Sequence, residues 1–192
     1  MGEAARKHFT VDEFLAWQGD SDTRYELVHG EIVAMAPVLN AHSQIVTNAT
    51  GEIRQRLKPP CRVLGEVGIR LPNREDTFYE ADLAIVCSPW DPMVRGIRDP
   101  VVIIEVLSPS TTVKDSGVKL SDYRRIWSVK EVVLIHGHRK RVEVFRRTHE
   151  AWTVIDLEAT DRVVLDSVGI DFPVEALYEG FEFPQGGEAE SS

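Results

Sequence analysis

Ala81-Asp82-Leu83-Ala84-Ile85-Val86 and Val101-Val102-Ile103-Ile104-Glu105-Val106-Leu107 are two apolar runs, each carrying one acid. Runs of this length and composition predict strands covered on both faces. A carboxylate in such a place is costly unless something engages it, so an ion, a metal or a chemical task is implied. After the Ser108-Pro109-Ser110 break the pattern predicts a helix over 115–127. Asp115, Lys119 and Tyr123 fall at i, i+4 and i+8 and therefore share one of its faces. If the two strands are neighbours, Asp82 and Glu105 come side by side and the helix returns over them.

The rest of the chain supplies the frame. Thr10-Val11-Asp12-Glu13 is a capping-box pattern that opens a short helix through Trp17. Arg24–Val28 and Glu31–Met35 flank His29-Gly30 and predict a tight hairpin, closed off by Pro37. From His42 to Lys58 the apolar residues Ile45, Val46, Ala49, Ile53 and Leu57 recur at helical spacing, until Pro59-Pro60 stops them. Strands are predicted at Arg62–Leu71, Ala81–Val86, Val101–Leu107, Glu131–Ile135, Arg141–Phe145 and Trp152–Leu157, with 88–100 as a proline-rich loop. This order predicts the α/β class: a mixed sheet flanked by helices, forming one domain over 1–183 with no repeat or linker. By composition 184–192 is a disordered tail.

Composition narrows the function. With 192 residues, 43% of them hydrophobic, the chain can bury a core, and no apolar run approaches membrane-spanning length. Met1–His8 lacks the apolar centre of a secretory signal, and Cys61 and Cys87 have no metal-ligand spacing. Both cysteines are expected as reduced thiols in a cytoplasmic protein. The net charge of -9 opposes strong nonspecific binding to nucleic acid. Acids that bind metal lower that number, however, and Arg139-Lys140-Arg141 with Arg146-Arg147 is a dense basic stretch. A stretch of that kind usually belongs to a solvated hairpin.

Glu26, Asp82, Glu105 and Lys119 together are the raw material of a phosphodiester hydrolase. Mg²⁺ takes carboxylate and carbonyl oxygens and keeps several waters, so two or three converging acids suffice. A nearby ammonium orients the attacking water and stabilises charge on phosphate. The same residues also allow a purely structural Glu105–Lys119 ion pair.

The strings Arg24-Tyr25-Glu26-Leu27-Val28-His29-Gly30-Glu31, Ala81–Val86 and Glu105-Val106-Leu107-Ser108-Pro109-Ser110-Thr111, with Asp115, Lys119 and Tyr123 downstream, carry a resemblance. The chain resembles the Uma-type restriction endonuclease family of the PD-(D/E)XK nuclease superfamily, in order from Phe9 to Phe183. The resemblance implies a restriction-endonuclease-like core with an N-terminal hairpin extension. It also implies a divalent-metal-dependent endodeoxyribonuclease acting on DNA. Asp82, Glu105 and the main-chain carbonyl of Val106 would hold Mg²⁺, or Mn²⁺ as its substitute, and Glu26 would be the acid of the first element. Lys119 would replace the lysine usual two residues after the glutamate, where this chain has Leu107, with Tyr123 supporting it. A homodimer is expected, with Trp90, Met93, Val94 and Ile97 as interface material. The alternative is a catalytically inactive dimeric binding or regulatory protein on the same scaffold.

The chain departs from the family pattern at Ala81, where a proline is usual, and at His136, where an aspartate is usual. His136 lies outside the metal set, so altered packing is expected there. Three further candidate sets weigh less. Asn40, His42 and Gln44 suit a helix start, His136-Gly137-His138 suits a turn, and Glu66 sits on a strand between two glycines.

Overall fold

The computed structural model describes residues 7–108 and 113–183, and of 113–116 the backbone alone. Its first helix, α1 (Val11–Ala16), opens on the expected capping box: Glu13 N–H donates to Thr10 Oγ1 and Thr10 N–H to Glu13 Oε2. Strands β1 (Tyr25–Val28) and β2 (Glu31–Ala34) form the hairpin. His29 and Gly30 both have positive φ, 50° and 82°, as a two-residue type I′ turn demands. Gly30 is also required sterically, because a Cβ there would lie 2.3 Å from the His8 ring.

Helix α2 (Asn40–Arg54) buries Ile45, Ala49 and Ile53, the stripe its spacing predicts. It stops at Arg54, four residues short of the expected end. Then follow β3 (Arg62–Arg70), β4 (Phe78–Val86), β5 (Val102–Leu107), α3 (Val113–Tyr123), β6 (Glu131–His136), β7 (Arg141–Arg147) and β8 (Trp152–Glu158). Helix α3 ends at Tyr123 rather than near Trp127. The Arg147 guanidinium takes the carbonyls of Arg124, Ile126 and Val129, which turns the chain out of the helix and leaves Trp127 71% exposed.

The main sheet runs β2-β1-β4-β5-β6-β7-β8, with β3 paired to the other edge of β4. Only β5 and β6 are parallel, joined through α3; the other pairings are antiparallel. One core layer, including Ile45, Ile53, Leu83, Ile104 and Ile135, lies beneath α2. The other, including Ile103, Tyr123, Ile126 and Leu134, lies beneath α3. The α/β expectation of a mixed sheet flanked by helices therefore describes the fold.

Two features depart from expectation. A second ribbon, β9 (Arg162–Leu165) with β10 (Ile170–Pro173), and a 3-10 turn at Val174–Tyr178 complete the first core layer. Their short apolar alternation carries too few residues to stand out in the sequence. Cys61 and Cys87, expected as free thiols, are joined in a disulfide. The physical reason is register: Arg62 pairs with Val86 in the antiparallel β3–β4 ladder, so the next residue of each strand faces the other. The predicted disorder of 184–192, the turn at Ser108–Ser110 beyond Ser108, and the side chain of Asp115 lie outside the described residues.

The second ribbon is tied to the sheet by Glu131, which is only 1% exposed. It accepts from Arg146 Nε at 2.9 Å, from the backbone N–H groups of Asp166 and Ser167, and from the Ser167 hydroxyl. Glu131→Ala leaves the Asp166 and Ser167 N–H groups without this acceptor, while the Arg146 guanidinium is still held by Asp166 and the Val164 carbonyl, a loss on the order of 1–3 kcal/mol. Urea unfolding should show it, and a change below about 1 kcal/mol would remove Glu131 as the anchor of the ribbon.

Candidate active site

The site follows from a fork in the sheet. One edge of β4 pairs with β3 along its length. On the other edge Phe78 pairs with Leu27 of β1, whereas Leu83, Ala84 and Ile85 pair with β5. Residues 79–82 therefore lie where β1 and β5 part, and backbone donors there lack a ladder partner. Carboxylates supply the acceptors: Glu80 N–H donates to Glu26 Oε1 at 2.8 Å, and Val106 N–H donates to Asp82 Oδ2 at 2.7 Å. The β4–β5 register, continued one step past Leu83↔Ile104, sets Asp82 opposite Glu105.

Helix α3 lies over this fork. Lys119 Nζ donates to Glu26 Oε1 at 2.6 Å and stands 3.9 Å from Glu105 Oε1. The short contact of the ammonium is thus with Glu26, not the Glu105 pair that a simple structural reading supposes. Tyr123, one turn on, donates its hydroxyl to Glu105 Oε1 at 2.6 Å. The Tyr123 ring packs edge-on against Tyr79, whose hydroxyl in turn donates to Asp122. From α2, His42 Nε2 lies 3.2 Å from Asp82 Oδ2. Glu26, Asp82, Glu105, Val106, Lys119, Tyr123 and His42 all line one cavity of about 400 Å³.

Burial and charge set the protonation states. Burial pushes the Glu105 carboxyl up to about 7, and Asp82 and Glu26 push the same way against the pull of Lys119 and Tyr123. Burial draws the Lys119 ammonium down, but Glu105 and Glu26 outweigh it and hold the group above its ordinary value. Burial, with Glu105 beside it, keeps the Tyr123 phenol well above the usual range. Lys119 is therefore a firm cation, and Tyr123 a firm donor.

The donor set fits a hard divalent cation in kind. Asp82 and Glu105 offer carboxylate oxygens from facing strand positions, and two such ligands plus waters are a typical Mg²⁺ complement. Among the described residues no three His, Cys, Asp or Glu side chains gather as a ready cation cage. The acids are instead held by Lys119, Tyr123, His42 and the Val106 N–H.

Other candidates fall elsewhere. Glu66, with φ of 47°, is exposed and pairs with Arg24 at 2.7 Å. His136 is buried and meets Glu143 at 3.1 Å, which is how the fold absorbs a histidine at that position. His138 contacts the His136 ring. Two lining features escaped the sequence reading: Arg24, and an apolar wall including Val33, Met35, Pro37 and Val38. The signal for the wall was present as the unbroken apolar run from Val33 to Leu39.

Comparison with known proteins bears on the family and the fold. The Uma2 family model, described as "Putative restriction endonuclease", matches residues 11–175. An uncharacterized protein of Synechocystis, slr1290, is 25% identical over 175 residues, covering 90% of this chain and 92% of the relative. A second, sll1609, is 26% identical over 164 residues, covering 82% and 92%. A crystal structure described as a putative nuclease belonging to DUF820, from Anabaena variabilis, superposes with a TM-score of 0.71 at 20% identity. It covers 88% of this chain and 97% of that one, and shows a shared restriction-endonuclease-like fold.

Glu105 generates a pH test. An unfolded glutamate titrates near 4.5 and the folded one at about 7, so between those values the native state holds a proton that the unfolded chain has lost. Stability then falls as pH rises through that window and levels off above it. In metal-free buffer Glu105→Gln should lack this component, so its advantage over wild type should grow from pH 4.5 to 7 by up to about 3 kcal/mol. Parallel stability profiles in urea would show that ionising Glu105 carries no such penalty.

Proposed function

The chain belongs to the Uma2 family, and we propose that its pocket is the active site of a divalent-metal-dependent endodeoxyribonuclease. The observation that carries this reading is convergence. Three carboxylates and one ammonium, delivered by β1, β4, β5 and α3, line a single cavity at the fork of the sheet.

Asp82, Glu105 and the Val106 carbonyl would hold Mg²⁺, or Mn²⁺ in its place. When bound, the metal makes its water a better nucleophile and neutralises charge on the phosphate. Val106 N–H and His42 aim Asp82, and Tyr123 aims Glu105, so both acids are pre-set before any ligand arrives. Glu26 anchors the ammonium of Lys119, leaving its other protons free to reach a phosphate oxygen. Because Glu26 and Glu105 keep Lys119 charged, its part is electrostatic stabilisation rather than proton abstraction. Leu107, where a strand lysine is usual, points to α3 as the source of that charge. The Cys61–Cys87 disulfide removes the reduced thiols on which the cytoplasmic expectation rested. Among the described residues no helix is long and apolar enough to cross a membrane.

A homodimer is the assembly we infer, with the exposed apolar surface of Trp90, Met93 and Val94 as its material, whereas Ile97 packs against the core instead. One observation favours a second reading, a non-catalytic binding or regulatory protein. Each site acid is already satisfied by a donor of the protein itself. Calorimetry separates the two readings, since that protein would give no heat with millimolar Mg²⁺ or Mn²⁺.

Purified protein should cut DNA, offered both as duplex plasmid and as a single-stranded circle, with Mg²⁺ or Mn²⁺, and Asp82→Ala and Glu105→Ala should reduce cutting to background. Cleavage that persists in both variants comes from a contaminant and ends the assignment. Lys119→Met should retain the fold and a metal affinity close to wild type while lowering the cleavage rate about 10²–10³-fold. A parallel loss of metal binding would place Lys119 in the metal site's architecture instead.

A further inference from the structure

The run Val33-Ala34-Met35-Ala36-Pro37-Val38-Leu39 is apolar at every position, yet it lies largely on the surface. Val33 is 44% exposed, Val38 48% and Leu39 58%. Scattered exposed apolar residues need no explanation, but an unbroken run does. Packing does not account for it. Among the described residues β2 is an edge strand paired only with β1, and both main core layers are built without Val33, Val38 or Leu39. The run instead forms the rim of the cavity that holds Glu26, Asp82, Glu105 and Lys119, where Val33, Met35, Pro37 and Val38 join Val118 of α3.

Resting on the nuclease reading above, we propose that this rim receives the base of an unpaired nucleotide, so that the substrate is single-stranded DNA or a frayed end. The two walls of the cavity have different chemistry. The wall with Lys119 and the acids suits a phosphate and its cation, and the other suits an uncharged apolar group. A nucleotide carries both parts. In an intact duplex the bases are stacked inside and the outer surface is phosphate and sugar, which an apolar rim would desolvate without return. The net charge of -9 also disfavours the many phosphate contacts on which duplex binding depends. A single strand can place one phosphate at the site and lay its adjoining base on the rim, a sequence-tolerant contact.

The test measures fluorescence anisotropy of a labelled oligonucleotide and of its blunt duplex, with the full chain and Ca²⁺ present. Cleavage of both is then followed separately in Mg²⁺ and Mn²⁺. The single strand should bind about tenfold more tightly than the duplex, the scale of burying roughly 50 Å² of apolar surface against an aliphatic rim. Val38→Asp should remove that preference by weakening the single strand alone. Val38→Thr, close in shape, should give a smaller loss in the same direction and guards against misfolding. Equal or tighter duplex binding overturns the proposal, as does an unchanged single-strand affinity in Val38→Asp. A Val38→Asp variant that only dissociates a dimer would assign the rim to a second copy of the chain, and also overturns it. The outcomes separate from those of the nuclease reading. Rim-dependent binding without any cleavage sinks that reading alone, whereas cleavage of both substrates with no strand preference sinks the rim alone.

Discussion

The molecule's chemistry depends on the interruption of one hydrogen-bonding edge. Strand β4 is continuous on its β3 side but shared on the other by β1 and β5, which meet it at opposite ends. Between them backbone donors face a gap, and in a buried setting such donors must find acceptors. Glu26 and Asp82 provide them. The carboxylates are therefore part of how the sheet forks as well as candidates for chemistry. This dual role explains why Asp82 can stand in a run as apolar as β4, while Glu105 of β5 is met by the Tyr123 hydroxyl. It also gives the site its rigidity, because its groups sit on strands and a helix rather than on loops.

Charge inside the cavity is balanced unevenly. Three carboxylates face one ammonium: burial raises the titration of Glu105, Asp82 and Glu26 add to that rise, and Glu105 and Glu26 hold the proton on Lys119. A divalent cation would relieve that excess of negative charge, and Lys119 alone cannot, because its short bond goes to Glu26. Moving the lysine from strand to helix has a geometric consequence. From position 107 it would rise directly beside Glu105, whereas from α3 it descends on Glu26 and leaves Tyr123 as the direct partner of Glu105.

Much of this was legible in the sequence, for specific reasons. The strands around Asp82 and Glu105 announced themselves because burial on both faces demands unbroken apolar runs. The i, i+4 spacing of Lys119 and Tyr123 likewise put both side chains over the same acids. The His29-Gly30 hairpin was readable from turn chemistry alone. What escaped depends on long-range register. The Cys61–Cys87 disulfide requires knowing that Arg62 faces Val86, and the β9–β10 ribbon is held by Glu131, which no local pattern marks. The end of α3 escaped for the same reason, since Arg147, over twenty residues downstream, takes its trailing carbonyls.

The basic stretch from Arg139 to Arg147 shows why charge counts alone mislead about nucleic acid. Lys140 pairs with Glu175, Arg141 with Asp156 and Glu143, and Arg146 with Glu131 and Asp166. Arg147 is occupied by three carbonyls and stacks on Trp152. Cations so engaged are poor phosphate ligands, because each would have to leave an existing partner to reach one. A nucleic acid substrate is therefore not drawn to a broad basic face of β7. None of these residues lines the cavity of Glu26, Asp82, Glu105 and Lys119, where the charge is local.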